Sequence, residues 1–123
     1  MIGYTTIGTN NLTRSASFYD SLLATLGAER SIEADDFIAW GAAPNTPMFS
    51  IHIPADGKTA TVGNGVMIAL HAENSEQVSA IYHQAIELGA IDEGKPGPRG
   101  DQGFYAAYFR DLDGNKLNVH CMV

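Results

Sequence analysis

The chain has 123 residues, 45% of them hydrophobic, and seven Lys and Arg against fourteen Asp and Glu give a net charge of −7. That length fits one domain with a real core, and that charge leaves little material for the basic face that nucleic acid or an anionic membrane would need. The single cysteine, Cys121, excludes an intrachain disulfide and agrees with a reducing cytoplasm. The opening MIGYTTIGTNNL has neither a basic region nor a long apolar run, so it does not read as a secretory leader. No apolar stretch approaches the roughly 20 residues of a membrane helix. The expectation is a soluble cytoplasmic protein with a small-molecule or protein partner, bound to neither nucleic acid nor membrane.

Along the chain, IGYTTIG (2–8) reads as a strand and LTRSASFYDSLLATLGA (12–28) as a helix. Phe18, Tyr19, Leu22, Leu23 and Leu26 fall on one face of that helix, Asn11 can cap its start, and Gly27 can end it. Strands follow at ERSIEA (29–34), FIAWGA (37–42) and PMFSIHI (47–53). The linker, 54–64, leads to a strand in GVMIALH (65–71) and a second helix, NSEQVSAIYHQAIELGA (74–90). Asn74 with Gln77 resembles a capping box there, and Gly89 is the stop. A short strand near 91–93, a Gly/Pro-rich loop GKPGPRGDQG (94–103), and strands FYAAYFR (104–110) and NKLNVHCM (115–122) complete the chain.

The halves repeat one another. Phe18-Tyr19 corresponds to Ile81-Tyr82 at an offset of 63, Leu26-Gly27-Ala28 to Leu88-Gly89-Ala90 at 62, and FSIHI (49–53) to LNVHC (117–121) at 68. Three matches in one order, each near half the chain length, point to a duplication. The fold class is therefore α+β: two βαβββ modules, about 1–53 and 65–123, whose curved mixed sheets enclose a cleft with the helices outside.

Strand alternation sorts the side chains. Phe49, Ile51 and Ile53 oppose Ser50 and His52; Leu117, Val119 and Cys121 oppose Asn118 and His120. The apolar sets should pack on the helices and the polar sets should line the cleft. By the same parity Tyr4 and Thr6 line it from the first strand, and Met67, Ala69 and His71 from the fifth. Trp40 is read as core packing, against an aromatic wall of the cleft as the functional alternative. Phe104, Tyr105, Tyr108 and Phe109 occupy both faces of one strand, and Tyr105 is assigned to the cleft. Arg99 is read as a lid arginine for an anionic ligand, against a solvated loop residue. His71 and His83, near or on the second helix, read as surface residues, and Glu29, Glu33, Asp35 and Asp36 as solvated charge.

IGTNNL-x-RSASFYDSLLATLGA and FRDLDGNKLNVHC, with the module order, resemble the vicinal oxygen chelate superfamily: glyoxalase I, bleomycin-resistance proteins, fosfomycin-resistance enzymes and extradiol dioxygenases. The resemblance spans essentially the whole chain. It implies a homodimer and a divalent metal held from the first, fourth, fifth and eighth strands. Those positions carry Tyr4, Ser50, Met67 and Asn118, none of them His, Glu, Asp or Cys, so the expectation is no metal and no other cofactor. His52 and His120, one step further along their strands, read as two hydrogen-bonded cavity histidines, against a shifted metal site or, with Tyr4, acid-base chemistry as the functional alternatives. The leading expectation is a protein that binds a small organic ligand through Tyr4, Thr6, Trp40, Ser50, Met67, Arg99, Tyr105 and Asn118. The alternative is a metal-independent or shifted-site lyase or dioxygenase-type enzyme using His52 and His120.

Overall fold

A computed structural model describes all residues, Met1–Val123, and divides them into two compact units, Met1–Val62 and Gly63–Val123. Each is one βαβββ module. The first contains β1 (Tyr4–Gly8), α1 (Leu12–Ala24), β2 (Glu29–Glu33), β3 (Phe37–Gly41) and β4 (Met48–His52), with strand order β1-β4-β3-β2. The second contains β5 (Ile68–His71), α2 (Ser75–Glu87), β6 (Ile91–Pro98), β7 (Phe104–Arg110) and β8 (Lys116–Met122), in the equivalent order β5-β8-β7-β6. In each sheet the first and last strands of the module run parallel and the other neighbours antiparallel. No helix is long and apolar enough to cross a membrane.

The helices begin and end on their predicted signals. Asn11 accepts from the Arg14 N–H at 3.0 Å, and Asn74 from the Gln77 N–H at 2.9 Å. Gln77 reaches back to the N–H of Glu73 at 2.8 Å, one residue before the cap. Gly27 and Gly89 adopt left-handed φ of 76° and 108°, and the residue after each glycine donates back into the last helical turn.

Each helix buries its stripe on its own sheet. Phe18, Tyr19, Leu22 and Leu23 are buried with Ile38, Trp40, Phe49 and Ile51 of β3 and β4; Val78, Ile81, Tyr82 and Ala85 with Ala107, Phe109, Leu117 and Val119 of β7 and β8. Each large side chain so buried contributes about 1.5–3 kcal/mol, which fixes the strand faces. Trp40 belongs to this core, as its core-packing reading has it, and not to a cleft wall, the place a ligand contact would need. It pairs with Phe49 across β3–β4, on the face toward α1, is 1% exposed, and packs against Tyr19. Its indole N–H donates to Asp20 of α1 at 2.9 Å.

Two further expectations shift. β6 extends to Pro98, through what the sequence suggested was loop, because its ladder to β7 tolerates two register shifts around Gly94. Pro96 and Pro98, which lack an N–H, fit there because β6 is an edge strand. β5 begins at Ile68, leaving Met67 just outside the ladder.

Candidate functional site

In the first module the face turned away from α1 carries a pocket of about 330 Å³. Three cross-strand rows build it: Tyr4 beside Met48, Thr6 beside Ser50 and Ala39, and His52 beside Phe37. Ile32 closes the fourth side. A bulge puts it there. The register of β2 shifts between Arg30 and Ile32, so Arg30 pairs with Trp40 and Ile32 with Ala39, on opposite faces. Arg30 thereby reaches Asp20 of α1 with two bonds of 2.9 and 2.7 Å, while Ile32 turns to the pocket. Simple alternation would have placed both on one side.

The walls are mainly apolar, with few polar groups. Ser50 is buried and its hydroxyl donates to the Thr5 carbonyl at 2.8 Å. Met48 sulfur accepts from the Ser31 hydroxyl at 3.2 Å. Tyr4 is 64% exposed, at the rim. His52 Nε2 lies 3.5 Å from Asp36 Oδ2 and its ring 5.8 Å from that of Phe37. Asp36 reads in the sequence as solvated charge; its signal as a partner is only that it sits in the β2–β3 turn beside Phe37, the cross-strand neighbour of His52.

The equivalent face of the second module is different. Ala69, Asn118 and Tyr108 form one row, and His71, His120 and Ala106 the next. The His71 and His120 rings lie 5.7 Å apart, edge to face, and Phe104 stacks on His120 at 5.4 Å. Asn118 Oδ1 lies 3.0 Å from His120 Nδ1. Burial, and secondarily the neighbouring His71, hold the His120 pKa below the ordinary histidine value. His71, exposed as its position near α2 suggested, is also the ring beside His120. Strand parity already placed it on this face.

Three other predicted ligand contacts fall elsewhere in their module. Tyr105 pairs with Cys121, on the face of Ala107 and Phe109 that α2 covers, so the strand's alternation removes it from the polar face. Arg99 is a loop staple instead of a free lid cation. Its guanidinium donates to the carbonyls of Gly97 at 2.8 Å and Lys95 at 2.7 Å, and it lies over the Tyr108 ring at 5.4 Å. Met67 precedes its strand and is 38% exposed.

The model of the Glyoxalase/Bleomycin resistance protein/Dioxygenase superfamily matches residues 1–119. The chain belongs to this superfamily. Among solved structures it is similar to a glyoxalase/bleomycin resistance protein from Albidiferax ferrireducens T118, with 35% identity over 98% of this chain and 97% of that one, and a TM-score of 0.89. A lactoylglutathione lyase from Agrobacterium tumefaciens shares the fold at 18% identity and a TM-score of 0.69, covering 98% of this chain and 92% of that one. So does the hypothetical protein SA1046 from S. aureus, at 23% identity and 0.71, covering 98% and 91%. No curated protein matches the chain.

The superfamily resemblance implies a divalent ion at Tyr4, Ser50, Met67 and Asn118, and these residues do not fit one. Ser50 and Asn118 are neutral, and each already has a hydrogen-bond partner within its own module. Tyr4 would have to ionise, and a Met thioether suits soft ions instead of Zn, Mg or Mn. No three His, Cys, Asp or Glu side chains come together anywhere in the chain.

Proposed function

We propose that this superfamily member binds a small, mainly apolar organic compound, aromatic or with few polar groups, in the first-module pocket, and does so without the divalent ion typical of its relatives. The pocket itself carries this reading. Its volume lies at the lower end of small-molecule sites, and Ile32, Phe37, Ala39 and Met48 supply apolar walls around a few convergent polar groups. Tyr4 and Phe37 offer ring edges and faces, Met48 an adaptable thioether. His52, beside Asp36, supplies an imidazole, and Tyr4 and Thr6 supply hydroxyls, as polar contacts for the compound. The neutral donor set at the four metal positions supports the metal-free part.

The test is a fluorine NMR screen of monocyclic fluoroaromatics against the protein dialysed with EDTA. Hits whose amide shifts map to Phe37, Met48 and His52, and that weaken at least tenfold in Phe37→Ala, support the proposal. Hits that require added zinc or manganese, or that map away from these residues, refute it.

A second reading, a metal-independent enzyme, has one observation in its favour: the carboxylate of Asp36 beside His52 Nε2, the arrangement that orients a general base. Turnover of a bound compound that disappears in His52→Gln while binding persists would select it. We also infer a cytoplasmic homodimer, the assembly that membership of the superfamily suggests. A single, buried cysteine, Cys121, agrees with that compartment. Light scattering across a wide concentration range should give twice the chain mass, and a monomer throughout would refute the dimer.

A further inference from the structure

We propose that His71 and His120 form a two-imidazole site for a late first-row divalent cation, copper(II) foremost, on the face of the second module turned away from α2. The site is separate from the four superfamily positions that fail to fit a metal, and it does not depend on the ligand proposed for the first module.

Two observations carry it. The first is spacing. His71 and His120 are cross-strand partners on the parallel pair β5–β8, so their side chains leave the sheet on the same side. An ion bound at about 2.0–2.1 Å to one nitrogen of each ring holds the ring centres about 5–6.5 Å apart. These rings are 5.7 Å apart before any ion binds. The second is preorganisation. A ligating histidine usually gives its other N–H to an oxygen acceptor, which fixes the tautomer and the ring. Asn118 Oδ1, 3.0 Å from Nδ1 of His120, is such an acceptor, and leaves Nε2 as the lone-pair donor. Phe104, stacked at 5.4 Å, fixes the plane of the same ring. His71, exposed on the edge strand β5, can turn its ring to meet an ion.

No third ligand of the His, Cys, Asp or Glu type lies beside the pair, so water completes the ion's coordination. Two imidazoles without carboxylate select copper(II), then nickel(II) and zinc(II), over magnesium or calcium.

The first module shows how specific the pair is. At the β1 position equivalent to His71 stands Gly8, whose Cβ would meet Ala60 Cβ at 3.0 Å, so a side chain is crowded out there. His52, the counterpart of His120, therefore faces a carboxylate and not a second imidazole.

The experiment is a copper(II) titration of the metal-stripped full chain by calorimetry, with electron paramagnetic resonance of the loaded protein. One ion per chain with nitrogen couplings from two imidazoles is expected. His71→Ala, at an exposed position that leaves the fold intact, should weaken binding at least tenfold. Asn118→Ala should weaken it about 10–100-fold with both ligands retained. His52→Ala and His83→Ala should leave it unchanged. No copper binding, binding that survives His71→Ala, or binding lost in His52→Ala would each overturn the proposal.

Discussion

Replacing Asp20 by Ala should destabilise the first module far more than its place on a helix surface suggests. Asp20 Oδ1 accepts the indole N–H of Trp40 at 2.9 Å, and both carboxylate oxygens bind Arg30. The Arg30 guanidinium is the main reason that the Asp20 pKa lies below the ordinary carboxylate value. Asp20→Ala leaves a buried indole N–H without an acceptor, a loss of about 1–3 kcal/mol. The Arg30 pair is about one-third exposed, so solvent limits its share to under about 1 kcal/mol. Alanine returns roughly 0.5 kcal/mol through helix propensity. The net expectation is about 2 kcal/mol, which lowers a urea midpoint by about 1 M for an m-value near 2 kcal/mol/M. Asp20→Asn keeps an acceptor for Trp40 and should cost only about 1 kcal/mol or less. Trp40 is the sole tryptophan, so its fluorescence reports unfolding directly. Equal losses in Ala and Asn would show that charge, not the indole hydrogen bond, carries the effect, and the reasoning would fail.

The lowered His120 pKa makes stability depend on pH. The unfolded chain binds more protons than the fold between the folded value and the ordinary value of about 6.5, so the contribution is complete above that value and is lost as pH falls below it. His120→Gln should remove that part of the acid sensitivity, measured as urea stability at pH about 7.5 against about 5. Gly103→Ala should destabilise the second module by about 1–3 kcal/mol, because φ is +89° and the new Cβ would strike the Val123 carbonyl oxygen; thermal melting checks this. Arg99→Ala should raise hydrogen exchange over residues 94–100 and leave fluoroaromatic binding in the first module unchanged. A loss of that binding would restore Arg99 as a ligand contact.

The duplication, both helices with their caps and the faces of β4 and β8 were legible because each rests on periodicity or on a local capping rule. Strand parity also gave Tyr4, Thr6 and Ser50 as neighbours of one pocket. Trp40 was left between core and cleft because parity was never applied to β3, where Ile38 and Trp40 alternate with Phe37 and Ala39. Ile32 was invisible because a bulge breaks alternation without leaving a composition signal. Arg99 was misread because a loop cation's own carbonyl partners depend on the path of β6, which two register shifts decide. Strand parity placed His71 on its face but not its pairing with His120, and Asp36 was passed over, because such pairings depend on the residue opposite across a parallel ladder or a turn.

The parallel pairing of β1 with β4 also has a mechanical consequence. The two strands are registered over five positions, Tyr4 with Met48 through Gly8 with His52, yet they are joined only through α1, β2 and β3. A force that pulls on Tyr4 and His52 enters at the start of one strand and the end of the other. It loads every rung of that ladder together, in shear, instead of peeling the rungs away one at a time. Gripped at those two points, the module should resist extension until the ladder ruptures as a whole.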